Sequence, residues 1–262
     1  MKRQAITLAV AALVCAVPTA DAFKVNLNKA VKAGSELVKG VTLSDEDVAT
    51  MAREYMEWMD THNPVASDNS EYGKRLNRIT KGLTEVDGLK LNIKAYEVID
   101  INAFACGDGS VRVCAGLMDV MSDNEILAVI GHEIGHVVNK DSKDAMKNAY
   151  MRSAATSAAG AVSSTAGALA DSDLGALADA FADAQYSQKQ ENAADDYGFK
   201  FAIERGCDPY SMRDALQRLI DTDTTATESS SSSKFRQLFS SHPETEKRIK
   251  RMKEAADKYS KK

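Results

Sequence analysis

Four histidines occur in the 262-residue sequence, and two of them stand four residues apart in His132-Glu133-Ile134-Gly135-His136. The run lies in a stretch of helical periodicity. Ser122-Asp123-Asn124-Glu125 has the form of a capping box, and Ile126, Leu127, Val129, Ile130 and Val137 supply an apolar face. Residues four apart on a helix share a face, one turn above the other. The two imidazoles can therefore meet one zinc ion at about 2.0–2.1 Å each. Glu133 projects beside them, positioned to accept a proton from an attacking water without being a ligand itself. The plain alternative is a pair of surface or core histidines, and the helical context argues against it.

A catalytic zinc takes three protein ligands and keeps one position open. No histidine follows His136 within the next hundred residues, so a carboxylate is needed, and Glu191 is the best candidate. It opens Glu191-Asn192-Ala193-Ala194-Asp195 on a helix expected from about Ala180 to Arg205, ending at Gly206. Asp195 falls one turn later on the same face, where its carboxylate can hold the second ring nitrogen of a ligand histidine. Ala193 and Ala194 are small enough to let the two helices approach. A purely structural zinc site would want four ligands rich in cysteine, and no cysteine sits near the motif.

The elements that must position these residues follow from the pattern around them. Ser44-Asp45-Glu46-Asp47 starts a helix with Val48, Met51, Tyr55 and Met59 on one face and Trp58 packed against it. Tyr72, Leu76, Ile79 and Leu83 mark a second helix, ended near Asp87-Gly88. Leu89 to Ala105 reads as strand and Ser110 to Leu117 as its hairpin partner, giving a small antiparallel sheet. Ser153 to Ala170 is an uncharged Ala/Ser/Thr/Gly segment, either a packing helix or a flap over the cleft. Thr222 to Ser233 reads as a surface loop and a charged helix follows Pro243. His62 reads as a surface turn residue.

Forty-four per cent hydrophobic content and only four prolines exclude disorder for the whole chain. A formal charge of -5, with no basic patch interleaved with aromatics, excludes nucleic acid as an expected partner. Lys2 and Arg3, the apolar run Ala5 to Val17 and Ala20-Asp21-Ala22 make residues 1–22 a cleavable export signal, leaving 23–262 as a single domain. The run is shorter than the roughly 20 residues of a membrane span. Val14 before Cys15 disfavours lipidation. Membrane association is therefore possible but not encoded. Export permits disulfides. Cys106 and Cys114 flank the turn-like Gly107-Asp108-Gly109-Ser110 and can face each other across a hairpin, with two small buried residues as the alternative; Cys207 reads as a core thiol.

With these residues in hand, the sequence resembles the HtpX-like gluzincin metallopeptidases, and within them the exported bacterial branch. The resemblance runs from about Leu43 to Arg251. It is carried by Asn102-Ala103-Phe104-Ala105, Gly116-Leu117-Met118-Asp119, Asp123-Asn124-Glu125, the His132 motif, Ser187 to Glu191 with Ala194-Asp195, and Ser241-His242-Pro243. It implies His132, His136 and Glu191 as ligands of one zinc ion, Glu133 as the base and Asp195 as the carboxylate behind a ligand. It also implies His242 and Arg248 near the site, where either can stabilise the oxyanion of the reaction. The stretch from Asn102 to Ala105 is implied to be an edge strand on which an extended substrate lies. The expected protein is an exported, periplasmic zinc endopeptidase of α+β, mostly helical gluzincin fold, with a small antiparallel sheet beside the active-site helix. Its expected substrates are unfolded or misassembled envelope polypeptides. The competing reading is a zinc-binding holdase of the same fold without turnover, against which an intact Glu133 argues.

Overall fold

Three helices begin with a serine that accepts a hydrogen bond from the backbone N–H three residues on, while the side chain at that position returns the bond. The pairs are Ser44 with Asp47, Ser122 with Glu125 and Ser187 with Gln190. The computed structural model describes residues 34–35, 37–38, 40–148, 151, 155, 186–226, 242 and 245–261, with the backbone alone at 223–226 and 245. The named helices are α1 (Asp45–His62), α2 (Glu71–Ile79), α3 (Ala115–Val120), α4 (Asp123–Val138), α5 (Gln188–Glu204), α6 (Ser211–Ala226) and α7 (Thr245–Ser260). The strands are β1 (Glu85–Val86), β2 (Leu89–Lys90), β3 (Asn92–Tyr96), β4 (Ala103–Ala105) and β5 (Ser110–Cys114). No described helix is long and apolar enough to cross a membrane.

The chain divides into two compact units. The first, Met1–Leu43 with Lys147–Ser172, is described only as short helical pieces. The second, Ser44–Met146 with Asp173–Lys262, contains every element named above. The export signal, the serine run at 229–233 and, apart from residue 155, the Ser153 to Ala170 segment lie outside the described residues.

The fold of the second unit is α+β and mostly helical. At its centre is α4, with Ile126, Ala128, Ile130 and Ile134 fully buried, packed against α5, α6, β4 and β5. Glycines set how closely α4 and α5 approach. A Cβ on Gly198 of α5 would come within 2.9 Å of the Ala128 carbonyl oxygen and the His132 backbone nitrogen, and one on Gly131 would strike the Phe201 ring at 2.7 Å. Of the two alanines expected at this contact, Ala194 is buried there and Ala193 is exposed. Arg75 of α2 ties down the start of α4, donating to Asp123 at 2.8 Å and to the Met121 carbonyl at 2.7 Å.

The sheet is more divided than its sequence suggests. Leu89 to Ala105 splits into β2, β3 and β4. β1 and β2 form a two-residue hairpin through Asp87 and Gly88, both at positive φ, so the turn closes a hairpin, while α2 ends earlier, at Ile79. The larger sheet has the order β3-β5-β4: β4 pairs antiparallel with β5 as the expected hairpin, but β3 lies parallel to β5. The chain crosses between β3 and β4 through 97–102, which is what brings β3 round to the far side of β5. β5 stops at Cys114, and the chain turns into α3, whose Gly116 lies under the Ile99 carbonyl.

Other expectations are corrected. Cys106 and Cys114 are buried free thiols. The register pairs Cys106 with Ser110 and Cys114 with Asn102, so the two sulfurs sit at opposite ends of the hairpin and form no bridge. Trp58 is 44% exposed and stacks on His62, the last residue of α1, at a centroid distance of 4.1 Å, while Val48, Ala52 and Met56 form the buried face. α5 begins at Gln188, because Ser187 caps it there. α6 continues through Thr222 to Ala226, so the polar run does not start a loop at Thr222.

Candidate metal centre

His132 and His136 project from the same face of α4, and their Nε2 atoms stand 3.1 Å apart. Glu191, in the first turn of α5 and fully buried, sets Oε1 3.5 Å from His136 Nε2 and Oε2 3.7 Å from His132 Nε2. His242 completes the group: its Nδ1 lies 2.8 Å from Glu191 Oε1 and 3.4 Å from His132 Nε2. One ligand atom from each of the four buried side chains falls within 4.8 Å of all the others. Zinc–ligand distances of about 2.0–2.1 Å give tetrahedral edges of about 3.4 Å, which is the scale of these separations.

The second ring nitrogens explain which atoms face inward. Asp195 Oδ1 stands 3.0 Å from His132 Nδ1, and Asp141 Oδ2 stands 2.8 Å from His136 Nδ1. A carboxylate at Nδ1 favours the tautomer that is protonated there and leaves a lone pair on Nε2. Two such lone pairs 3.1 Å apart, with a carboxylate alongside, repel one another unless a cation lies among them. The donor set of imidazole nitrogens and one carboxylate therefore fits zinc. Burial holds the imidazoles of His132, His136 and His242 below their ordinary pKa, with Asp195 and Asp141 pulling the first two the other way, and a lowered pKa favours the neutral ring that binds metal.

Glu133 is buried beside this group, with Oε1 3.7 Å from His242 Nε2. Burial and then the Glu191 charge push its carboxyl well above the usual range, with the Arg248 guanidinium pulling the other way. Arg248, on α7, is itself buried. It gives Nε and Nη2 to the two oxygens of Asp195, at 2.8 and 2.7 Å, and sets Nη1 2.6 Å from Glu191 Oε2. All three guanidinium nitrogens thus engage carboxylates. That geometry holds the acidic residues in place. Asp196, next to Asp195, points away and pairs with Arg251 at the surface.

The stretch expected to bind substrate forms β4, an edge of the sheet, and packs against α4. Cys106 and Cys114 donate to the Ser110 and Asn102 carbonyls, so even-numbered residues of this strand face β5. The N–H and C=O groups of Ala103 and Ala105 then point outward from the sheet.

Two neighbours of the site escaped the sequence reading. Asp141 is the first. It reaches His136 because Lys140 takes φ 65° and turns the chain straight back after α4. The Asp-Ser pair just after Asn139 and Lys140 was the available sign of a new helix start. Tyr186 is the second, stacked on His136 at a centroid distance of 4.0 Å and an interplanar angle of 15°, just before the cap of α5. A lone tyrosine beside an alanine-rich stretch carries no signal of that contact.

Comparison with known proteins agrees with this geometry. The model of peptidase family M48 matches residues 73–256. Metalloprotease YcaL of Escherichia coli K12 is 38% identical over 231 residues, covering 88% of each chain. Metalloprotease LoiP of the same organism is 36% identical over 228 residues, covering 87% of each. A Vibrio cholerae protein provisionally named a beta-barrel assembly-enhancing protease is 28% identical over 233 residues, which is 85% of this chain and 46% of that one. The chain belongs to peptidase family M48 and is a metalloendopeptidase with zinc as its cofactor.

Proposed function

We propose that this metalloendopeptidase is exported and cleaves unfolded or misassembled envelope polypeptides, with His132, His136 and Glu191 as its zinc ligands and Glu133 as its general base. The observation that carries the site assignment is the convergence of two Nε2 atoms and a carboxylate, each histidine backed by its own aspartate, with Glu133 alongside. When bound, zinc supplies a Lewis acid for the scissile carbonyl and lowers the pKa of water toward about 7. Glu133 takes the proton of the attacking water and passes it to the leaving amine. A carboxyl raised by burial is suited to both halves of that transfer. Arg248 holds Glu191 and Asp195 in place, keeps Asp195 charged and opposes the burial that raises Glu191. His242 occupies the remaining side of the cluster, next to both Glu133 and Glu191, where its ring faces the reacting groups.

The extended substrate adds to β4 through the outward groups of Ala103 and Ala105, and such backbone hydrogen bonds carry no side-chain preference. Export rests on the basic start, apolar run and small-residue site within residues 1–22, with 23–262 as the mature domain. The envelope substrate class is supported by the Vibrio cholerae relative, whose name is that of a beta-barrel assembly-enhancing protease.

The reading is tested by isolating the chain from cells that export it, sequencing its N-terminus and assaying casein turnover before and after chelation. A mature start at Phe23, one zinc per chain, and activity lost to chelator and restored by zinc are expected. A chain that keeps Met1, or binds zinc and never cleaves, would contradict export or turnover respectively.

A further inference from the structure

α4 and the helix that follows it are joined by a two-residue reversal whose geometry is unusual. Asn139 ends α4 in a right-handed conformation, and its N–H reaches the Gly135 carbonyl. Lys140 then adopts φ 65°, a region that costs a side chain bearing a Cβ and is usually left to glycine or asparagine. The Lys140 carbonyl at once accepts from the Asp144 N–H at 3.1 Å, which starts the next helix. The reversal places Asp141, only five residues after His136, within 2.8 Å of that ring's Nδ1, and the carboxylate is buried there at 4% exposure.

A strained residue persists where its surroundings over-determine it. Here both flanking lysines are held by one acid: Asp45, at the start of α1, lies 2.6 Å from Lys140 Nζ and 2.6 Å from Lys143 Nζ. Those two contacts bracket Asp141 in sequence and fix the reversal on both sides. Asp45 is itself held well into its charged form, to about 2, by the two lysines. The same reversal borders a cavity whose lining includes Val48, Val137 and Val138 together with Asp45, Lys140 and Lys143.

We propose that the Lys140–Asp141 reversal is a positioning device for the metal site: Asp141 fixes the tautomer and direction of His136, and Asp45 on α1 holds the reversal that delivers it. Asp141 is a positioning residue, acting only through His136. The inference rests on His136 being a zinc ligand, and the controls below separate failure of that premise from failure of the inference.

The test is a zinc-affinity titration of the full chain by competition with a fluorescent chelator, together with melting of the zinc-free protein. Asp141→Ala is expected to weaken zinc binding about 10- to 100-fold, the usual effect of removing a carboxylate behind a ligand histidine. Asp141→Asn retains an oxygen that accepts the Nδ1 proton and should stay within about fivefold of wild type. Asp45→Asn, removing only exposed ion pairs, should weaken binding less than about fivefold, and the difference should shrink in high salt. Melting of the zinc-free Asp141→Asn protein should match wild type. Wild-type zinc affinity in Asp141→Ala would overturn the proposal. So would equal losses in Asp141→Ala and Asp141→Asn that track their melting temperatures, since that pattern belongs to a merely structural residue. His132→Ala and His136→Ala in the same titration test the premise, because unchanged affinity in both would put the zinc elsewhere and remove the basis for any role of Asp141.

Discussion

Arg248 joins Asp195 to Glu191 across the buried face of α5: it donates to both oxygens of Asp195 and sets Nη1 2.6 Å from Glu191 Oε2. Asp195 in turn stands 3.0 Å from Nδ1 of His132. Burial alone would raise the Asp195 carboxyl, but the Arg248 guanidinium and His132 hold it below the usual carboxylate range. A charge on α7 thereby keeps Asp195 ionised on α5 and works against the burial that raises Glu191, and Asp195 orients a ligand on α4. The site is assembled by three helices distant in sequence, α4, α5 and α7.

The two adjacent aspartates of α5 should separate cleanly. Asp195→Ala removes the partner of His132 and should weaken zinc binding about 10- to 100-fold, while Asp196→Ala loses only a surface pair with Arg251 and should change it little. Chelator competition on both variants checks this. The reverse order would mean that Asp196 holds the ligand.

Arg248→Leu leaves two fully buried carboxylates without their cation, a change that typically costs about 3–5 kcal/mol. Urea unfolding of the zinc-free protein should report a loss of that size. A loss below about 1 kcal/mol would show that Asp195 and Glu191 do not depend on the guanidinium.

A second ionic cluster, remote from the metal, predicts a pH dependence. Asp60 of α1 accepts from Arg112 Nε and Nη2 at 2.8 and 3.0 Å, from Tyr96 at 2.7 Å and from Lys94 at 3.0 Å. Burial works against the charge, yet these donors hold the Asp60 carboxyl well below its ordinary range. Its folded-state pKa is depressed, so its stabilisation is fully present above the unfolded value of about 3.9 and is lost as pH falls through the lower folded value. Asp60→Asn should therefore be less stable than wild type at pH 7, with the gap closing below about pH 4. Equal stability at pH 7, or a gap that widens in acid, would contradict this.

Edge-strand binding can be isolated from the metal. Ala105→Pro deletes an N–H that points outward from β4 and takes no part in pairing with β5. KM for an unfolded substrate should rise about tenfold with zinc content unchanged, one lost backbone hydrogen bond in a dry cleft being worth about 1.5 kcal/mol. An unchanged KM would place the substrate elsewhere.

The sequence was readable where structure is local. The serine of each capping box marks its helix start, and the spacing of His132 and His136 requires the shared face that α4 provides. Even there, Ser187 with Gln190 marked the true start of α5, while the alanine-rich residues before it suggested a longer helix. The parallel pairing of β3 with β5 was not legible, because it depends on how the 97–102 crossover runs and not on the alternation within either strand. The separation of Cys106 from Cys114 is likewise a matter of register, which the turn residues alone do not set. Asp141 escaped notice because its place depends on a left-handed Lys140, a residue type that gives no warning of positive φ.

Glu133→Gln tests the central claim most directly. The amide keeps the shape of the side chain and the helix but cannot take the water's proton, so purified Glu133→Gln should hold one zinc per chain and cleave casein about 10²- to 10⁴-fold more slowly than wild type. Cleavage at close to the wild-type rate by the zinc-loaded variant would contradict Glu133 as the base and the reaction built on it.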